Sequence, residues 1–150
     1  MKLLVCTDGS EQSQKALNKA LEIAGGCSAD EVAIISVYEE KFNLPETTTD
    51  RVPLTHEDLR RFKKIEEDER EEKKKMLLEA AEPFKKKNIK VTTLLECGHP
   101  AETIARTAQE GGYDMIVIGS RGLGGLKKLL LGSVSNAVLQ EARCSVLVVK

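Results

Sequence analysis

A chain of 150 residues is the length of one domain, 1–150, and its 41% hydrophobic and 31% charged residues fit an ordinary globular core with a solvated surface. A formal net charge of −1 at pH 7 lacks the basic field that a sequence-independent grip on nucleic acid needs, and it equally disfavours an anionic membrane surface. No apolar run approaches the ~20 residues of a membrane-spanning helix, and "MKLLVCTDGS" turns polar after six residues, so no secretory signal is expected and the expected location is the cytoplasm.

In chain order, "KLLVC" (2–6) is a short apolar run of strand type, and "TDGS" behind it supplies turn and cap residues. From Ser10 to Ala24, the residues Ala16, Leu17, Ala20, Leu21 and Ala24 share one helical face, and "AGGC" is expected to stop that helix. "EVAIISVY" (31–38) is a second strand, followed by a loop with two prolines, "KFNLPETTTDRVPLTHED". Thr55 and Asp58 form a capping-box pattern for a long helix reaching about Lys87. Its middle, "EEDEREEKKK", has no apolar stripe and reads as a solvated helix with intrahelical ion pairs; the alternative is a protruding arm that docks a partner.

"IKVTTLLE" (89–96) is the third strand, and Pro100 after "CGH" suits a first helical turn. "AETIARTAQEGG" is a helix ending in glycines, "YDMIVIG" a strand, "SNAVLQEA" a helix and "CSVLVV" the closing strand. Cys6, Cys27, Cys97 and Cys144 form no C-x-x-C pair and read as reduced thiols packed as small hydrophobes.

The order βαβαβαβαβ predicts an α/β fold: a five-stranded, mainly parallel sheet with helices on both faces. Right-handed crossovers favour the strand order 3-2-1-4-5. Ligands of such sheets bind outside the carboxyl ends of the strands where the winding reverses, here between strands 1 and 4. The loops that meet there are "TDGS" and "GSRGLGGLKKLLLGSVS" (119–135).

Backbone N–H groups on residues without obstructing side chains, backed by a helix N-terminus, hold phosphate well. Gly119 and Gly122 would form one rim of such a cradle; Gly132, Ser133, Val134 and Ser135, opening the last helix, would form the other. The alternative is a structural turn, with Ser133 only an N-cap and Asp8 only a cap of the first helix. Arg121 is a candidate phosphate partner, whereas Lys127 and Lys128 read as solvated. Neither the P-loop pattern nor G-x-G-x-x-G is present. No Ser or Cys partner is identifiable for His56 or His99, so no catalytic residue is assigned.

Gly119-x-x-Gly122, nine residues, then Gly132-Ser133 resembles the G-x2-G-x9-G-[ST] signature of ATP-binding universal stress proteins. "LLVCTDGSEQSQKAL", "IISVYEE", "CGHPAETIARTAQEGGYDMIVIGSRG" and "SVLVVK" extend the resemblance along the chain. It implies a Rossmann-like fold of the adenine nucleotide alpha hydrolase-like kind. The implied cofactor is ATP, with magnesium or manganese carried on its phosphates. Asp8 would take the ribose hydroxyls and the backbone of Val37 the adenine edge. Gly119 and Gly122 would line ribose and phosphates, while Gly132, Ser133, Val134 and Ser135 bind the phosphates. A homodimer through the last strand and an unidentified protein partner are also implied. The function expected is a nucleotide-dependent stress-response or signalling module. The alternatives are a slow ATPase, for which no general base or P-loop lysine is evident, and a nucleotide-independent interaction module.

Overall fold

Strands buried on both faces need nearly continuous apolar runs, and three short segments of this chain meet that need between two half-buried edge strands. A computed structural model describes residues 1–26, 29–39, 55–123 and 131–150. The strands are β1 (Lys2–Cys6), β2 (Glu31–Tyr38), β3 (Val91–Cys97), β4 (Met115–Gly119) and β5 (Ser145–Val149). They form one sheet in the order β3-β2-β1-β4-β5, parallel at every pairing, as the sequence pattern predicted.

Side chains alternate across a strand, so each strand feeds two cores. Leu3 and Val5 of β1, Val32 and Ile34 of β2 and Val117 of β4 pack on one face. There they meet Ala16, Leu17 and Ala20 of α1 (Glu11–Gly26) and Leu77, Ala81 and Phe84 of α2 (His56–Lys86). Leu4, Cys6, Ala33, Ile35, Ile116 and Ile118 point the other way, against Ala101, Ile104 and Ala108 of α3 (Pro100–Glu110) and Val138 of α4 (Ser133–Glu141). Among the described residues no helix is long and apolar enough to cross a membrane.

The helix boundaries differ from expectation at one place. α1 runs through Gly25 and Gly26 instead of stopping before them, and neither glycine takes a left-handed conformation. The capping box of α2 is present in both directions: Asp58 N–H donates to Thr55 Oγ1 at 3.1 Å, and Thr55 N–H to Asp58 Oδ2 at 3.0 Å. Only Leu77, Ala81 and Phe84 of α2 are buried, all near its C-terminal end. Its earlier turns carry ion pairs such as Glu57–Arg61 at 2.8 Å and Glu71–Lys74 at 2.6 Å. The winding reverses between β1 and β4, whose register aligns Val5 with Val117. The chain therefore leaves the sheet at Asp8 and at Ser120 on the same rim.

Candidate functional site

The turn after β1 is built by side chains folding back on the backbone. Asp8 Oδ1 accepts the N–H of Ser10 at 3.0 Å, an Asx turn, and Gly9 takes the left-handed conformation (φ 83°) that the reversal requires. Ser10 caps α1, its Oγ accepting the N–H of Ser13 at 3.2 Å. Helix capping therefore belongs to Ser10, and Asp8 is not reserved for it. The second carboxylate oxygen, Oδ2, accepts the N–H of Leu123 at 3.2 Å, across 115 positions of sequence. Asp8 thus joins the loop after β1 to the loop after β4.

The two glycine clusters touch. Gly132 N–H donates to Ser120 O at 2.7 Å, and the buried Ser135 hydroxyl lies 3.0 Å from both Ser120 O and Gly132 O. Ser120 N–H in turn donates to Val149 O at 2.7 Å, which fixes the rim to β5. Gly132, not Ser133, is the N-cap of α4, and it has no side chain with which to cap. The first intrahelical bond runs from Asn136 N–H to Gly132 O at 3.0 Å, which leaves the N–H groups of Ser133, Val134 and Ser135 without intrahelical acceptors. Three aligned donors at the positive end of a helix dipole favour an anion. The Ser135 hydroxyl, expected to supplement them, is turned inward and committed to carbonyls.

Each glycine of the pattern is small for its own reason. A Cβ on Gly119 would lie 2.7 Å from the backbone carbonyl of Gln12, so this position lets α1 close on β4. A Cβ on Gly122 would lie 2.6 Å from Asp8 Oδ2. On Gly132 it would come within 3.3 Å of Arg121 Cα, where the two rims abut. Gly132 has φ −72°, so its need for glycine is spatial.

Val37 contributes backbone. Thr7 N–H donates to Ile35 O and Gly98 N–H to Tyr38 O, both at 2.9 Å, so odd residues of β2 address β1 and even ones β3. Val37 therefore aims its N–H and C=O at the β1 side, beyond the point where β1 ends, while its side chain packs on the α3–α4 face.

Among the described residues, three buried polar side-chain atoms lack a hydrogen-bond partner: Gln12 Oε1, Ser36 Oγ and Arg121 Nε. All three sit at the carboxyl rim, in the first turn of α1, near the end of β2 and just after β4. Buried polar atoms are nearly always satisfied, so their concentration here marks the rim as unusual. No group of three His, Cys, Asp or Glu able to hold a metal ion occurs among the described residues.

A profile of the universal stress protein family matches residues 1–150. The chain belongs to the universal stress protein family. It is 36% identical to universal stress protein YxiE of Bacillus subtilis over 149 residues, covering 99% of this chain and 98% of that one. It is 35% identical over 156 residues to universal stress protein MJ0577 of Methanocaldococcus jannaschii, covering 99% and 94%. The solved structure of MJ0577 superposes with a TM-score of 0.83 at 28% identity, covering 99% of this chain and 94% of that one. The universal stress protein from Archaeoglobus fulgidus in complex with dAMP has a TM-score of 0.66 at 22% identity, covering 100% and 98%, and shares the fold.

In this universal stress protein the structure brings Asp8, Gly119, Gly122, Gly132 and Ser135 to one rim, with Arg121 between the glycine clusters. Lys127 and Lys128, in 124–130, and the loop 40–54 lie outside the described residues. His99 is the N-cap of α3 without a side-chain cap bond, and His56 opens α2. The cysteines divide: burial pushes the Cys6 and Cys144 thiols up, as expected of small core residues, but Cys97 is exposed at the end of β3. An edge strand leaves one face of its last residue uncovered, which the local pattern did not signal. Cys27 lies outside the described residues. Gln12, Ser36 and Ser120 were missed because single polar residues inside helix, strand and turn patterns carry no local mark of a partnerless or doubly used atom.

Proposed function

We propose that this universal stress protein binds ATP in the crevice between β1 and β4 and acts as a nucleotide-dependent stress-response module with a protein partner. The observation that carries the reading is the uncapped start of α4, whose Ser133, Val134 and Ser135 N–H groups open onto the rim that Asp8 spans. Phosphate oxygens are the acceptors those donors suit. Asp8 takes the ribose hydroxyls, since an ionised carboxylate only accepts and each of its oxygens keeps a further lone pair. The backbone of Val37 meets the adenine edge. Gly119 and Gly122 line ribose and phosphates, and the buried Nε of Arg121 finds its acceptor on a phosphate oxygen. A magnesium or manganese ion would ride on the phosphates themselves. That a universal stress protein sharing this fold is solved in complex with dAMP supports a nucleotide as the ligand class.

The assembly we propose is a homodimer through β5, and the free thiols suit a reducing compartment, the cytoplasm. A thermal-shift titration tests the nucleotide reading. Millimolar Mg-ATP is expected to raise the melting temperature, in proportion to the logarithm of ligand over Kd. Adenosine, lacking phosphates, is expected to raise it far less. Equal shifts from both, or none from ATP, would remove the phosphate cradle. Phosphate release by the same protein is expected to be far slower than the ~1–100 s⁻¹ of kinases.

A further inference from the structure

Gly122 belongs to the glycine pattern, and such glycines are ordinarily credited with letting phosphate approach the backbone. Its surroundings point elsewhere. Among the described residues beyond its chain neighbours, a Cβ built there meets nothing of the α4 rim and finds within 4 Å only Asp8 Oδ2 at 2.6 Å and Asp8 Cγ at 3.8 Å. Its φ is not in the left-handed region, so the position needs glycine for space alone. The next residue, Leu123, donates its N–H to that same oxygen at 3.2 Å, and Ser10 N–H holds Oδ1 at 3.0 Å. Two donors therefore clamp the carboxylate from opposite loops, and the bare Cα of Gly122 leaves the hollow into which it fits.

We infer that Gly122 is a positioning residue that seats the Asp8 carboxylate and so sets recognition of the ribose diol. The inference rests on the nucleotide reading above for its ligand, but the seat itself exists without one. An added methyl at 122 forces a shift, because real Cβ contacts are essentially never under 3.0 Å, and Oδ2, the far end of a flexible side chain, is the atom that yields most cheaply. Displacing Oδ2 releases Leu123 N–H and moves the acceptors away from the 2′ and 3′ hydroxyls. The phosphate donors of α4 are untouched.

A double-mutant cycle separates this from direct obstruction of the nucleotide. Asp8→Ala is expected to weaken ATP roughly a hundredfold, through two hydrogen bonds to a charged group. It should also abolish the preference for ATP over 2′,3′-dideoxy-ATP. Gly122→Ala is expected to lose most of the same affinity and the same preference. With Ala at 8 there is nothing for the new methyl to displace. The double variant should therefore bind within about twofold of Asp8→Ala alone, the strong non-additivity of contacting residues. Additive losses, or a Gly122→Ala protein that keeps its ribose preference, would overturn the inference.

A second measurement needs no nucleotide. Leu123 is 73% exposed, and its amide owes its hydrogen bond to Asp8. Exchange of the Leu123 amide should accelerate by about tenfold in both Asp8→Ala and Gly122→Ala. Unchanged exchange in Gly122→Ala, with acceleration in Asp8→Ala, would show that the carboxylate is not displaced. If wild-type protein fails to bind ATP, the functional reading falls while the amide measurement still decides the seat.

Discussion

Three glycines of one motif carry three different consequences, because each lacks a side chain toward a different neighbour. Gly119→Ala drives a methyl into the Gln12 carbonyl and the Ser13 nitrogen, both backbone, which only a shift of α1 relieves. That is overpacking inside the fold, typically costing about 1–3 kcal/mol. Urea unfolding is expected to show a lower midpoint with an unchanged slope, in the absence of any nucleotide. Gly132→Val acts at the rim instead. Its Cβ meets Arg121 Cα at 3.3 Å, and two further methyls would part the glycine clusters that the Gly132–Ser120 hydrogen bond holds together. The α4 donors then lose their setting, and ATP affinity is expected to fall roughly a hundredfold, the worth of two charge-assisted hydrogen bonds. The protein should still fold, since Gly132 is only half-buried and contributes nothing to either core. A full ATP-dependent rise in melting temperature for Gly132→Val would sink the cradle.

Among the elements, α2 best separates local from tertiary stability. Its buried residues Leu77, Ala81 and Phe84 anchor the last turns, while the turns from His56 onward depend on the capping box and on exposed ion pairs. Exposed pairs of this kind contribute little, so the cap matters most there. Thr55→Ala is expected to speed amide exchange in the first turn about fivefold, the scale of a lost cap, without moving the global melting temperature. The pH dependence has a definite sign. Hydrogen bonds from the Thr55 hydroxyl, then from its N–H, hold the Asp58 carboxyl below the usual carboxylate range. A depressed folded value means the contribution is fully present above the ordinary carboxylate pKa and fades as pH falls through the lower, folded one. Helicity of the first turns should therefore hold at neutral pH and fray below about pH 4. First-turn amide protection, taken relative to the intrinsic exchange rate at each pH, that stays flat from neutral to strongly acidic pH would contradict this.

At the level of assembly, the two sheet edges differ. β3 carries Thr92, Thr93 and Glu96, whereas β5 is "SVLVV", with Val146 to Val149 only half-buried. Ser145 N–H donates to Asp114 O, and Val149 O accepts from Ser120 N–H, so odd residues of β5 serve β4. The N–H and C=O groups of Val146 and Val148 consequently point outward, an unpaired apolar edge that a second copy can complete across a two-fold axis. Light scattering at micromolar concentration is expected to give twice the chain mass of 16.5 kDa. Val148→Pro removes an outward donor while sparing the ladder to β4, a substitution edge strands tolerate. It is expected to give a monomer; a wild-type monomer, or an unaltered dimer in the variant, would place the interface elsewhere.

Strand order, helix order and the meeting of the two loops were legible in the sequence, because apolar periodicity and turn chemistry are written in neighbouring residues and parallel crossovers leave few windings. The capping box at Thr55 and Asp58 was legible for the same reason, and so was the glycine spacing. What stayed hidden depends on atoms that meet across long stretches of chain. Nothing near Asp8 announces that Gly122 and Leu123 will close on its carboxylate, nor does Gly119 announce the Gln12 backbone. Ser135 looked like a phosphate ligand, yet the packing of α4 on the rim turned its hydroxyl toward Ser120 and left the N–H groups as the donors. A local pattern fixes which face of an element is apolar; close packing of those faces then fixes, to within an ångström, which polar atoms are left to act.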